Sequence, residues 1–99
     1  MTDNDLIALL RDCHDTVQRR NIVDAGLVRA ATVTLDTEAP GAGIKGVPPR
    51  YIATIMLLAP GSDDTANAQL VAQIENRLLG VQAISRVTVT LLPALFPIL

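Results

Sequence analysis

Cysteine, histidine and aspartate stand next to one another at Cys13, His14 and Asp15, and all three side chain types bind metal ions. Cys13 is also the only cysteine of the chain, which excludes an internal disulfide. Adjacent residues of a helix point about 100° apart, so Cys13 and His14 share one ion only if the helix has already ended. We therefore consider Cys13 and His14 as possible metal ligands; the alternatives are core packing for Cys13 and a plain surface role for His14.

Other runs that resemble active-site motifs lack the surroundings that their chemistry requires. The single histidine and the single cysteine are neighbours in sequence, which is the wrong geometry for a nucleophile and its base. Residues 41–46 match G-x-G-x-x-G, but a diproline follows them instead of the helix that a dinucleotide site needs. The same run contains a G-x-x-G like that of KH modules, in a chain without a basic footprint. We predict that the protein is not an enzyme and that this run is a hairpin loop.

Composition limits the protein class. The 99 residues predict a single domain, 1–99, with an apolar C-terminal tail from about residue 93. A net charge of −2, with no basic cluster larger than Arg19-Arg20, argues against nucleic-acid binding. The first residues lack a basic n-region, and no apolar run reaches membrane-spanning length, so we expect a cytoplasmic protein without a membrane segment.

Apolar spacing predicts two helices. The first runs from about Asp5 to about Val17, and the second from about Asp63 to Leu79, where Gly80 ends it. Ser62 or Asp63 can cap the second helix. The predicted apolar stripe of the first helix consists of Leu6, Leu10, Cys13 and Val17, and that of the second consists of Leu70, Val71, Ile74 and Leu78.

Alternating apolar residues predict three strands, at about Val28 to Asp36, Tyr51 to Leu58 and Ser85 to Leu92. The element order is helix, strand, strand, helix, strand. The first two strands are expected to form an antiparallel hairpin, and the strand–helix–strand crossover is expected to return parallel. This order predicts an α+β two-layer sandwich, with a mixed three-stranded sheet and both helices on one face. The 37–50 connection is longer than a typical hairpin loop, which indicates a binding or assembly role.

The sheet face without helices is expected to be apolar. The middle strand is apolar on both sides, and Ile52, Met56 and Leu58 would point away from the helices. Large exposed apolar patches usually mark interfaces, so we expect a homo-oligomer, most simply a dimer. Val23 and Ile74 are predicted to lie in the core, where a charged substitution would unfold the domain.

Residues 21–28, which read Asn-Ile-Val-Asp-Ala-Gly-Leu-Val, resemble a signature of the MIP18-like family, also called DUF59. That family serves iron–sulfur cluster assembly. Residues 56–62 fall where the family reads roughly M-T-L-T-x-P-x-C-P, and Ser62 occupies the position of its reactive cysteine. Asp15 resembles the aspartate of the family's D-P-E motif. The resemblance therefore implies family-site positions at Asp15, Asp24 and Ser62, within a two-layer α+β domain.

The serine at position 62 changes what the resemblance implies for chemistry. A cysteine before a helix has a depressed pKa and can bind a metal as a thiolate, whereas a serine hydroxyl is a poor ligand for iron–sulfur centres. We expect a non-enzymatic accessory protein of metal–sulfur cluster maturation that docks to protein partners, with cluster binding lost or weak. One alternative is a metal or iron–sulfur cluster carrier that uses Cys13 across a dimer interface. Another is a structural dimerisation module with a decayed site.

Overall fold

The computed structural model describes residues 1–15, 19–59 and 63–92. Ser62, Val17 and the apolar tail at 93–99 therefore lie outside the described residues. The described part contains two helices and five strands. The helices are α1 (Asp3–Leu10) and α2 (Asp64–Leu79); the strands are β1 (His14–Asp15), β2 (Arg20–Asn21), β3 (Val28–Leu35), β4 (Tyr51–Leu58) and β5 (Ile84–Leu92).

Three of the strands form one mixed sheet in the order β3-β4-β5. β3 runs antiparallel to the central strand β4, and β5 runs parallel to it after the α2 crossover. Both helices pack against the same face of this sheet. The predicted α+β two-layer sandwich is confirmed, and its three strand positions are correct to within a residue. The sequence did not predict the two-residue ribbon of β1 and β2, which pair antiparallel.

The core lies between the helices and the inner face of β4. Apart from Cys13, its fully buried side chains are aliphatic, and the chain has only two aromatic residues. Ile74 is buried as predicted, whereas Val23 only packs against the edge of the core and its neighbour Ile22 is enclosed. The buried cluster consists of Leu6, Leu10, Cys13, Ile22, Leu27, Ala53, Ile55, Leu57, Leu70, Ile74, Leu78 and Ile84.

The first helix is shorter than predicted, since it ends at Leu10 instead of about Val17. Backbone N–H groups of Asp12 and Cys13 donate to the carbonyls of Leu9 and Leu10, so the helix tightens into a final turn. The chain then extends into β1, which pairs with β2. Cys13 enters the core from this turn, outside the helix. Its three-residue spacing from Leu10 therefore resembles a continued helical stripe, which is why the predicted helix was too long.

The helix starts follow capping rules. Thr2 caps α1 in a reciprocal capping box with Asp5, and Asp63 caps α2 by accepting from the N–H groups of Thr65 and Ala66. Gly80 follows α2 as predicted, but its φ of −71° is right-handed, so the stop does not depend on a left-handed glycine.

The 37–50 loop is fixed to the sheet by a buried carboxylate. Asp36 accepts hydrogen bonds from the Ser85 hydroxyl at 2.6 Å and from the Glu38 N–H at 3.0 Å. The Ser85 hydrogen bond lowers the pKa of Asp36 below its ordinary value, against the opposing effect of burial. The far end of the loop is held by Arg50, whose guanidinium donates to the carbonyls of Gln82 and Ile84.

The sheet face opposite the helices carries threonines as well as apolar residues. Thr32, Thr54 and Thr88 lie side by side across the three strands. Met56 on the central strand is 39 % exposed, while Ile52 and Leu58 are half-buried. The expectation of a purely apolar face is therefore only partly met. No helix in the described ranges is long and apolar enough to cross a membrane.

Gly26 and Gly80 form a matched pair for testing backbone strain. Gly26 has a φ of +75° and space for a Cβ, so Gly26→Ala strains only the backbone. We expect this variant to lose about 1–2 kcal/mol of unfolding free energy in urea titrations. Gly80 has an ordinary φ, and a Cβ there would make ordinary contacts, so Gly80→Ala should be neutral or slightly stabilising. Equal effects of the two substitutions would contradict this account.

Ser85→Ala removes a donor from the Asp36 carboxylate. Because the folded-state pKa of Asp36 is depressed, its stabilisation is present above the unfolded-state pKa and disappears as pH falls through the folded-state pKa. We therefore expect Ser85→Ala to lower the urea midpoint clearly at pH 7 and much less at about pH 2. Thr90→Ala, on the same strand without such a bond, should show no comparable pH dependence; a pH-independent loss for Ser85→Ala would refute the assignment.

Candidate functional site

A small cavity of about 140 Å³ lies between β1 and the first half of α2. It brings two predicted site residues, His14 and Asp15, against α2. The other lining residues are Ala66, Gln69, Leu70 and Gln73. Among the family-site positions implied by the sequence, Asp15 is the one that lines this cavity in the described part of the chain.

Gln73 holds β1 in place with two hydrogen bonds to one residue. Its Oε1 accepts from the His14 backbone N–H at 2.9 Å, and its Nε2 donates to the His14 carbonyl at 3.2 Å. The side-chain amide thus presents a donor and an acceptor to β1 in the way that a neighbouring strand would. The adjacent Asp15 is 3 % exposed and is fixed in the cavity wall.

A backbone hydrogen bond from Arg19 also supports Asp15. The Arg19 N–H donates to the Asp15 carbonyl at 2.8 Å. Arg19 itself has a φ of +57°, a left-handed conformation that costs a non-glycine residue about 1–2 kcal/mol. The strain is tolerated because Arg19 directly precedes β2, whose pairing with β1 fixes the backbone there.

The N-terminal turn of α2 forms the other wall. Ala66 lines the cavity, and the capping Asp63 places a negative charge next to the positive end of the helix dipole. Asp64 adds a second carboxylate in the first turn. Ser62 directly precedes this cap in sequence and lies outside the described residues.

Cys13 does not line this cavity. Its side chain is 0 % exposed within the core, and burial raises the pKa of its thiol. His14 is exposed, so the two neighbouring residues face different surroundings. No group of three or more His, Cys, Asp or Glu residues within 1–15, 19–59 and 63–92 is arranged to hold a metal ion. The donors present therefore do not fit an iron–sulfur cluster, which needs exposed thiolates.

Asp24 lies outside the cavity and shapes the turn between β2 and β3. Its carboxylate accepts from the Asn21 amide and the Arg11 guanidinium, both at 2.8 Å. The Asn21 hydrogen bond, followed by Arg11, lowers the pKa of Asp24. The Asp24 N–H in turn donates to the Asn21 side-chain oxygen, so the two residues are joined by two hydrogen bonds. The conspicuous 21–28 run thus encodes a turn that ends at the left-handed Gly26.

A second, larger cavity of about 490 Å³ opens beside the 37–50 loop at the other end of the sheet. Three exposed apolar side chains border it: Leu35, Ile44 and Val47, of which Ile44 is 61 % exposed. The loop length and its glycines were the only sequence signals for this feature. Apolar lining residues did not stand out because they lie in a segment without periodicity.

Comparison with solved structures identifies the fold. The crystal structure of a DUF59 domain of unknown function from Bacillus anthracis superimposes with a TM-score of 0.67. It is 21 % identical in sequence, and the match covers 91 % of this chain and 73 % of that one. No family model and no curated protein matches the sequence. The chain therefore has the fold of a DUF59 domain, in agreement with the resemblance of residues 21–28.

Substitutions of Gln73 and Gln69 test whether the two hydrogen bonds from Gln73 to His14, called the β1 clamp below, hold β1 in place. Gln73→Ala removes both hydrogen bonds to His14, and at about 0.5–1.5 kcal/mol each we expect a loss of about 1–3 kcal/mol in urea unfolding. Exchange of the His14 amide hydrogen should accelerate in parallel. Gln69 lines the same cavity, but the hydrogen bonds to His14 come from Gln73, so Gln69→Ala should change neither quantity appreciably. Similar values for the two variants would show that the clamp does not hold β1.

Proposed function

We propose that this protein is a non-enzymatic accessory or assembly protein of metal–sulfur cluster maturation, which docks to protein partners and binds clusters weakly or not at all. Two observations support the pathway: the resemblance of residues 21–28 to the MIP18-like signature and the DUF59 fold. A cytoplasmic location and self-association belong to the same proposal.

The burial of Cys13 supports the proposal that the protein binds clusters weakly or not at all. It is the only thiol in the sequence, and it is sealed within the core with a raised pKa. A cluster ligand must be a thiolate that reaches the metal, so Cys13 would have to leave the core first. That opening would expose the Leu10 and Ile22 contacts around it and would cost unfolding free energy.

The electrostatics at the start of α2 support the same conclusion. The family position before the helix is a serine, and Asp63 and Asp64 follow it directly. Their carboxylates occupy the favourable positive end of the helix dipole. A thiolate-bound iron–sulfur centre is anionic overall, so these charges oppose it where a family cysteine would bind it.

Docking is supported by the apolar surface beside the 37–50 loop. Leu35 and Ile44 are more than half exposed, and Val47 is 41 % exposed. Exposed aliphatic residues grouped around one cavity are a common feature of protein interfaces. The loop is anchored at both ends, through Asp36 and Arg50, so this surface is presented in a fixed position.

The two alternatives make different demands on the structure. A carrier that uses Cys13 across a dimer interface requires an accessible thiol, and the burial of Cys13 weighs against it. A structural dimerisation module requires only an interface and no ligand. It differs from the preferred proposal in lacking a partner from cluster assembly.

Anaerobic reconstitution with iron and sulfide tests the proposal. We expect the protein to stay colourless and to retain iron far below one equivalent per chain, with Cys13→Ser behaving identically. Stoichiometric iron with charge-transfer absorption that disappears in Cys13→Ser would establish the carrier instead. Ser62→Cys provides the matched gain-of-function control, because it restores a thiol at the family position while leaving Cys13 buried. Iron retention by this variant alone would assign the loss of binding to position 62.

A further inference from the structure

The outer edge of β5 presents backbone groups that no described residue bonds. β5 is an edge strand of the described sheet, because among residues 1–15, 19–59 and 63–92 it pairs only with β4. The Leu92 carbonyl accepts from the Ala59 N–H, so Leu92 points its backbone groups towards β4. Backbone groups alternate along a strand, and this places those of Val87, Val89 and Leu91 on the outer side. Each offers one N–H and one C=O.

The opposite edge of the sheet is protected, in contrast to β5. On β3 the outward N–H of Val33 donates to the Asp3 carboxylate at 2.9 Å. A register irregularity between Val28 and Ala30 bends the start of the same strand, and the charged Arg29 lies within it. Carboxylates, bulges and charges are the usual devices that prevent strand addition at an edge. From Val87 to Leu92, β5 has no charge, no proline and no irregularity in its pairing.

We propose that β5 pairs antiparallel with the β5 of a second copy of this chain, about a two-fold axis through Val89. This register is the one that uses all the outward groups: Val89 faces Val89 of the second copy, and Val87 faces Leu91. The two three-stranded sheets become one continuous sheet. The pairing identifies the interface of the oligomer proposed above and rests on that part of the proposal alone, since it makes no use of iron.

Side-chain chemistry favours a second copy as the occupant. On the helix side, half-buried valine and leucine would meet valine and leucine. On the open side Thr88 would face Thr90, and β-branched pairs of this kind stabilise sheets. Arg86 would face Leu92, so the two Arg86 side chains lie about 20 Å apart at a rise of about 3.3 Å per residue, beyond the screening length of about 8 Å.

Mass measurement on matched variants tests the interface. Sedimentation equilibrium of the full chain should give twice the chain mass of 10.5 kDa. Val89→Pro removes an outward N–H to which no described residue of the monomer bonds. It should weaken the dimer roughly 30-fold or more, because the two-fold axis doubles the loss. Met56→Lys charges the exposed open face and should leave the dimer intact. A monomeric full chain, or a dimer that Met56→Lys dissociates and Val89→Pro does not, overturns the proposal.

Cross-linking decides the register even if Val89→Pro does not fold. In a Cys13→Ser background, Thr88→Cys with Thr90→Cys places cysteines opposite each other across the axis, at a spacing that permits a disulfide. Mild oxidation should give a covalent dimer, while Thr32→Cys with Thr34→Cys on the protected edge should not. Absence of the β5 cross-link contradicts the pairing. A full chain that becomes dimeric only after removal of residues 93–99 would show that the tail occupies the edge, which also overturns it. Iron reconstitution is unaffected by any of these outcomes.

Discussion

The inner face of β4 is the constraint on which the rest of the structure depends. Ala53, Ile55 and Leu57 are almost completely removed from solvent, and both helices and both neighbouring strands contact this strand or the cluster around it. Burial of one such aliphatic side chain contributes about 1.5–3 kcal/mol. With only two aromatic residues in the chain, the core has few other sources of stabilisation. A tight aliphatic layer therefore fixes both the strand order and the position of α2, which in turn determines where β1 can attach.

The sequence predicted the parts of the fold that follow from periodicity. The prediction was correct to within about a residue for β3, β4, β5 and α2. Alternating apolar residues in a strand, and an apolar stripe in a helix, each indicate one buried face. The end of α1 was wrong because Cys13 keeps helical spacing while entering the core from a turn. The β1–β2 ribbon could not be predicted, since β1 is hydrogen-bonded to Gln73, which is 59 positions away in sequence from His14.

The candidate site shows a similar division. Asp15 was named from a family motif, and the structure places it in the cavity beside α2. Asp24 was named in the same way, yet its hydrogen bonds to Asn21 and Arg11 give it a structural role in the turn. Sequence alone does not separate these roles, because both residues are aspartates next to strand ends. The structural surroundings of each carboxylate show that Asp15 lines a cavity and that Asp24 stabilises a turn. The buried Asp36 escaped notice for the same reason, as its partner Ser85 lies on another strand.

Because Cys13 is buried, the reactivity of its thiol measures how often the folded domain opens. A thiol within the core is shielded from peroxide and from alkylating reagents, so Cys13 is resistant to oxidation as long as the domain stays folded. Each excursion that separates α1 from the sheet exposes this single thiol to solvent. The rate at which a small thiol reagent labels the native protein therefore measures how often the domain opens, without any introduced probe.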